Sequence, residues 1–352
     1  MAKIDAFFKY MIDKNASDLH LSVGAKPLIR KHGELEEMPY QVLTDDILKA
    51  LLFELLSDDQ KNYFLETRDL DFAYEIPSLA RFRANYFVQK RGLGAVFRVI
   101  PTTILSVEEL ALPKQLLRFA NLSRGLVLVT GPTGSGKSTT LAALVDFINQ
   151  NRKDHILTVE DPIEFVHHNK GCLVNQREIS SHTASFTAAL RAALREDPDV
   201  ILVGEMRDLE TIELAITAAE TGHLVFGTLH TSSAAKTVDR VIDAFPAGQQ
   251  SQIRAMLSES LKGVIAQQLL KRADKPGRIA AIEILFVNVA IANLIREGKT
   301  FQMPSVMQMS KAGGMQLLDQ AIMDLLMQKI VSPEEAYIKA NDKKTFEKFL
   351  KT

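Results

Sequence analysis

Along the first hundred residues apolar positions come in short alternating runs. "SDLHLSVG" and "KPLIRKHGELEEM" read as strands broken by a glycine turn, and "TDDILKALLFELL" spaces its apolar residues as a helix does. Three further alternating runs follow, "DLDFAYEIP", "ARFRANYFVQK" and "GAVFRVIP". Together they predict a small α+β unit over residues 1–100, an antiparallel sheet beside one or two helices. Pro101 and Pro113 bracket "TTILSVEELAL", so a linker is expected at 101–113. From Arg124 the rhythm changes to wholly apolar strands alternating with helical stretches: "GLVLVTG", a helix from Lys137, "HILTVED", a helix around "FTAALRAALR", "VILVGE", a helix from Leu209, and "HLVFGTLH". Strand and helix in alternation imply a mostly parallel sheet with helices on both faces. From about Val289 the chain reads as nearly all helical, with "MQLLDQAIMDLLMQK" its clearest amphipathic segment. The expected fold is therefore α/β: a small N-terminal domain, then a larger domain over 114–352 with a helical tail.

Length agrees with that division, since 352 residues suit two domains at roughly 150 residues each. Charge narrows the partners. Lys plus Arg number 42 and Asp plus Glu 43, so no overall basic field draws the chain to nucleic acid, and no nucleic-acid partner is expected. No apolar run approaches the ~20 residues that cross a bilayer, and the start "MAKIDAFFKYMIDKNASD" lacks a signal-peptide cleavage region. A cytoplasmic protein is expected, or one peripheral on the cytosolic face of a membrane. Cys172 stands alone, which excludes an internal disulfide and any multi-cysteine zinc site.

"GPTGSGKST", residues 131–139, follows a predicted strand and opens a predicted helix, the context in which G-x-x-x-x-G-K-[ST] binds a phosphate chain. Backbone N–H groups of Thr133, Gly134, Ser135, Gly136 and Thr139 are expected around the phosphates, with Lys137 on the β- and γ-phosphates and Ser138 on Mg²⁺. "LTVEDPIEF" puts Glu160 and Asp161 at the next strand's end, a pair suited to a magnesium shell. "VILVGEMRD" is stranger: the metal-holding Asp that usually ends such a strand is replaced by Gly204. Glu205 beside it can orient or deprotonate the attacking water, or merely pair with Arg207. His230, at the end of "HLVFGTLH", would face the same edge, to contact the γ-phosphate or sense its loss; His223, at the far end, fits a turn.

The four boxes "GPTGSGKST", "ILTVEDPIEF", "ILVGEMRD" and "HLVFGTLHTSSA", in this order, resemble the secretion ATPase superfamily, the hexameric motors of type II secretion, type IV secretion and type IV pili. "ASDLHLSVGAKPLIR" looks like that family's PAS-like N-terminal domain, so the resemblance covers almost the whole chain. The short N-terminus, "GKTFQMPSVMQMSKAGGMQLLDQAI" and "AIANLIRE" resemble its pilus-retraction branch more than its assembly and secretion motors, which mostly carry a four-cysteine zinc element. The resemblance implies a RecA-like ATPase domain using ATP and Mg²⁺ in a homo-hexamer. It also implies an inner-membrane platform protein and a paralogous retraction ATPase as partners. Glycine at 204 is similar to the family pattern, which implies that Glu160 and Asp161 organise magnesium through water while Glu205, or failing it Glu160, serves as base. Arginines of the N-terminal domain reach a neighbouring subunit's phosphates in this family. Arg81 and Arg83 share one face of a strand and are the candidates, told from Arg91 and Arg98 by position and resemblance alone. Ala292 stands where the retraction motif has its first Arg; Asn293, Leu294, Ile295, Arg296 and Glu297 match it.

Overall fold

The computed structural model describes residues 2–31, 33–77, 79–100 and 103–350. The chain forms two compact units, Met1–Thr103 and Ile104–Thr352.

The first unit runs α1 (Asp5–Asp13), β1 (Asp18–Ser22), β2 (Leu28–Lys31), β3 (Glu34–Glu37), α2 (Asp45–Phe53), α3 (Asp58–Thr67), β4 (Asp69–Ile76), β5 (Ala80–Gln89) and β6 (Gly92–Ile100). Its strands pair antiparallel in the order β3-β2-β1-β6-β5-β4. Alternation along β5 explains the layering: Ala80, Phe82, Ala84 and Tyr86 are buried, and Arg81 and Arg83 project from the opposite face. Phe8 packs edge-on against Phe97 and tilted against Phe82 in the core. One or two helices were expected and three are present. The extra one, α1, is only nine residues long and owes its stability to packing Phe7, Phe8 and Met11 on the sheet rather than to its own propensity.

The second unit runs α4 (Leu117–Ala120), β7 (Gly125–Thr130), α5 (Lys137–Asn151), β8 (His155–Glu160), β9 (Leu173–Glu178), α6 (Phe186–Ala193), β10 (Val200–Val203), α7 (Leu209–Glu220), β11 (Leu224–Leu229), α8 (Ala234–Asp243), α9 (Gln250–Ser260), β12 (Leu261–Lys271) and β13 (Arg278–Phe286). Helices α10 (Val289–Arg296), α11 (Met303–Met309), α12 (Leu318–Met327), α13 (Pro333–Lys339) and α14 (Lys343–Glu347) complete the helical C-terminal segment. The sheet order is β13-β12-β7-β11-β10-β8-β9, parallel throughout except for the β12–β13 pair. Leu126 and Leu128 of β7 join the core beneath α7, α8 and α9, while Val127 and Val129 join the core beneath α4 and α5. A strand covered on both faces has no polar side to show, which is why "GLVLVT" is buried at every position.

Residues 101–113 do not behave as a free linker. Pro101 and Thr102 lie outside the described residues, but Val107 and Leu112 are buried with Leu116 and Phe119 in the core of the second unit. Apolar side chains in a tether would stay in water; here they have a hydrophobic surface to cover.

Candidate functional site

The sheet order brings β7, β11, β10 and β8 side by side, so the four motifs at their carboxyl ends share one edge. Between β7 and α5 the chain turns through Gly131, whose φ of +146° and whose neighbour, the Gln267 carbonyl oxygen 2.2 Å from where a Cβ would sit, leave no room for another residue. Helix α5 starts from Gly136 and has no side-chain cap, whereas α6, α7 and α8 are capped by Ser185, Asp208 and Ser233. A first turn without a cap leaves its N–H groups and the positive end of the helix dipole for an anion. Lys137 Nζ donates to the carbonyl oxygens of Gly131 at 2.9 Å and Pro132 at 3.2 Å, folded back over the loop. Burial holds its ammonium below the usual lysine range, against the opposing charges of Glu205 and Glu164. Thr133 and Gly134 are exposed at the loop's tip; Ser138 and Thr139 are half-buried in the first turn of α5. The Ser135 side chain is turned inward and its Oγ has no hydrogen-bond partner, so this residue presents only backbone to a ligand.

Gln267 of β12 holds the loop from below, a residue the sequence reading passed over. Its buried amide donates to the Ser135 carbonyl at 2.7 Å and accepts from the Thr140 hydroxyl at 2.7 Å. Both ends of the amide are satisfied, as a buried polar group requires.

At the next strands the two acids separate. Glu160, with Ser138, Thr158, His167, Gly204 and Thr228, lines a cavity of about 40 Å³, enough for ordered water. Asp161 does not line it; it is exposed, and its charge acts on Arg207. Glu160 Oε1 accepts from Thr158 Oγ1 at 2.6 Å and from Gln176 Nε2 at 3.1 Å. Withdrawal from water pushes its carboxyl up to about 7 in spite of those bonds. The glycine at 204 has a steric reason: a Cβ there would lie 3.1 Å from the Val159 carbonyl oxygen and 3.2 Å from Glu160 Cα, so the β8 backbone would have to move aside. The Glu160 carboxylate thus occupies the neighbourhood in which an aspartate on β10 would stand.

Glu205 is engaged on both oxygens, Oε1 3.0 Å from His230 Nε2 and Oε2 2.6 Å from Arg207. The Arg207 hydrogen bond, more than its charge or that of His230, holds the Glu205 carboxyl below the usual range, so it is ionised at neutral pH. His230 accordingly sits on Glu205, and Arg207 does too; the two readings of Glu205, base or ion-pair partner, describe one cluster. His223 lies at the opposite end of β11 with its Nδ1 2.9 Å from the Ala218 carbonyl oxygen, a turn residue. In the first unit Arg83 makes only a long 3.8 Å contact to Asp71, while Arg98 bonds the buried Asp18 at 2.7 Å. Arg81 is half-buried on the same face as Arg83. Along α10, Ile291 and Ile295 are fully buried and Leu294 packs beside them; Arg296 donates to Ser258 at 3.2 Å, and Glu297 pairs with Lys299 at 2.8 Å.

Among the described residues no cluster of three or more His, Cys, Asp or Glu side chains could cage a metal. Ser138 beside Glu160 suits magnesium, which accepts one or two protein ligands and takes the rest from phosphate and water.

A parallel sheet that gathers a glycine-rich turn, an uncapped helix start, a lysine and two carboxylates at one edge is a phosphate-binding α/β domain. The family profile described as type II/IV secretion system protein matches residues 2–351, and the chain belongs to that family. It is 53% identical over 343 residues to the "Type IV pilus retractation ATPase PilT" of Pseudomonas aeruginosa, covering 97% of this chain and 99% of that one. It is 54% identical over 316 residues to the "Twitching motility protein" of Neisseria gonorrhoeae, covering 90% and 84%. A crystal structure of the pilus retraction motor PilT with bound ADP superposes with a TM-score of 0.92 at 44% identity, covering 99% of both chains.

Proposed function

We propose that this chain is a hexameric motor that hydrolyses ATP to drive type IV pilus retraction and twitching motility. The observation that carries this reading is the shared edge: the open first turn of α5, Lys137, Glu160 and the Glu205–His230–Arg207 cluster all meet where a nucleotide's phosphates would lie. Near-full-length similarity to proteins named for pilus retraction supports the work assigned to it.

In this reading the backbone of residues 133–139 holds the β- and γ-phosphates, and Lys137 leaves its carbonyl partners to meet them. Ser138, with Glu160 through water, would hold Mg²⁺, which when bound neutralises charge on the β- and γ-oxygens. Asp161 stands outside the cavity toward Arg207, so it is assigned to that arginine first and to the metal's waters only through it. Glu205 accepts the proton of the attacking water, and His230, fixed on the same carboxylate, reports the γ-phosphate's departure. Glu205→Gln should still bind Mg-ATP and assemble while steady-state phosphate release falls by about 10²–10⁴, the range for a lost general base. If Glu205→Gln turned over at the wild-type rate and Glu160→Gln did not, the base would be Glu160.

The partners follow from the same reading: a ring of six copies, with Arg81 or Arg83 of one subunit serving the next, docked on the platform protein at the cytosolic face of the inner membrane, with a paralogous retraction ATPase alongside. No helix among the described residues is long and apolar enough to cross the membrane, so docking would rest on protein contacts. Deleting the gene should leave cells piliated yet unable to twitch; bald cells would favour the assembly or secretion branch of the family. Complementation with Arg296→Ala or Glu297→Ala, at matched protein levels, should restore ATP turnover but not twitching. These side chains are exposed on α10 while its apolar face is buried, so their loss spares the core. Normal twitching in both would make "AIANLIRE" a packing element only.

A further inference from the structure

Strand β9, at the sheet's outer edge, lies beyond the four motifs yet holds the loop that follows β8. Parallel pairing sets Gln176 opposite Thr158 and Glu178 opposite Glu160, so these four polar side chains share one face. The Gln176 amide is fully used: Nε2 donates to Glu160 Oε1 at 3.1 Å and to the Phe165 carbonyl at 2.9 Å, and Oε1 accepts from the His167 N–H at 2.7 Å. Glu178 takes the Ile163 N–H at 3.0 Å, fixing the same loop two residues after Asp161. Thr158 adds the second donor to Glu160 Oε1 at 2.6 Å.

We propose that Gln176 is a positioning residue for hydrolysis, holding Glu160 by Oε1 so that Oε2 is left for the water shell beside Ser138. The inference rests on the role given to Glu160 above. It follows from geometry: the carboxylate hangs from the last residue of β8, a flexible side chain, and a glutamate held by one oxygen has its other oxygen fixed in direction. Gln176 does this while gripping both sides of residue 166, so carboxylate and loop are set by one amide.

Gln176→Met keeps the approximate volume and loses both donors and the acceptor. In the full-length, assembled protein we expect kcat for ATP to fall about 10–100-fold, as when a partner that orients a metal-site group is removed. KM and the affinity for a fluorescent ADP analogue should change by less than about threefold, since no phosphate contact is lost. In a Glu160→Ala background, followed by single-turnover phosphate release, Gln176→Met should add less than about twofold, because residues acting through one another are not additive. Should Gln176→Met fold poorly by thermal melting, Gln176→Glu preserves length and the acceptor for His167 while removing both donors, and the same outcomes apply. A wild-type kcat in the folded variant overturns the proposal, as does an equal loss in both backgrounds. Wild-type turnover in Glu160→Ala alone would instead remove Glu160 from the chemistry, a distinguishable failure.

Discussion

Lys137→Ala protein is expected to fold and to release phosphate from ATP no faster than the uncatalysed background. In the free protein the Lys137 ammonium rests on two loop carbonyls. It is the loop's one side-chain cation, and no backbone N–H group can replace a full charge on the γ-phosphate. The same substitution should cost little stability. Burial lowers the lysine's proton affinity in the folded chain, so at neutral pH its charge works against folding, and this term fades as pH rises and the ammonium loses its proton in the folded state first. The variant's melting temperature should therefore equal or slightly exceed the wild type's near neutrality, with the difference shrinking in alkali. Phosphate release, nucleotide binding and a melting series across pH check all three statements. Hydrolysis at the normal rate would overturn the phosphate-loop assignment whatever the melting curves show.

Arg81→Ala combined with Arg83→Ala should lower turnover by ~10³–10⁵ without emptying the nucleotide site, the effect of losing an arginine supplied in trans. Arg98 is a weaker candidate than these two, since it is committed to a buried aspartate, and freeing it would strand that charge. Arg83, on a 3.8 Å contact between exposed groups, can leave at little cost. Mixing rings of this double variant with Glu205→Gln protein gives the decisive measurement. Each parent lacks what its neighbour can donate, so mixed rings should regain activity that neither parent has. Rings shown to be mixed by differential tagging, yet still inactive, would rule out donation between subunits and return both arginines to the sheet surface.

The parts of the molecule legible in the sequence are those in which a local pattern has one physical meaning. Wholly apolar runs bounded by motif residues identified β7, β8, β10 and β11, because a strand buried on both faces can contain little else. Glu205 and His230 were readable as strand-end residues, and the fold set them 3.0 Å apart. Strand β9 was not readable: "LVNQRE" sits at an edge with only Glu178 fully buried, so it shows neither an apolar run nor a clean alternation. Its polar side chains are spent on the β8 loop, a tertiary demand with no local trace. Gln267 left a fainter signal, a glutamine inside the apolar stretch "LKGVIAQQLLK", where a buried amide must have partners. Which partners, 132 and 127 residues away in the chain, only the folded sheet could tell. The 101–113 segment misled because its flanking prolines look like a boundary while its buried side chains answer to a core formed elsewhere.

The contact between Gly204 and β8 also constrains how such a site can change over time. An aspartate introduced at 204 meets the Val159 carbonyl and Glu160 Cα before it can reach any ligand, and the loss of Glu160 alone leaves its cavity without a carboxylate. Moving the acid from one strand to its neighbour therefore has no viable single-step route: each intermediate is either crowded or lacks its charge. The two arrangements are alternatives separated by an epistatic barrier, and a Gly204→Asp, Glu160→Gly exchange made together is the crossing that neither change makes alone.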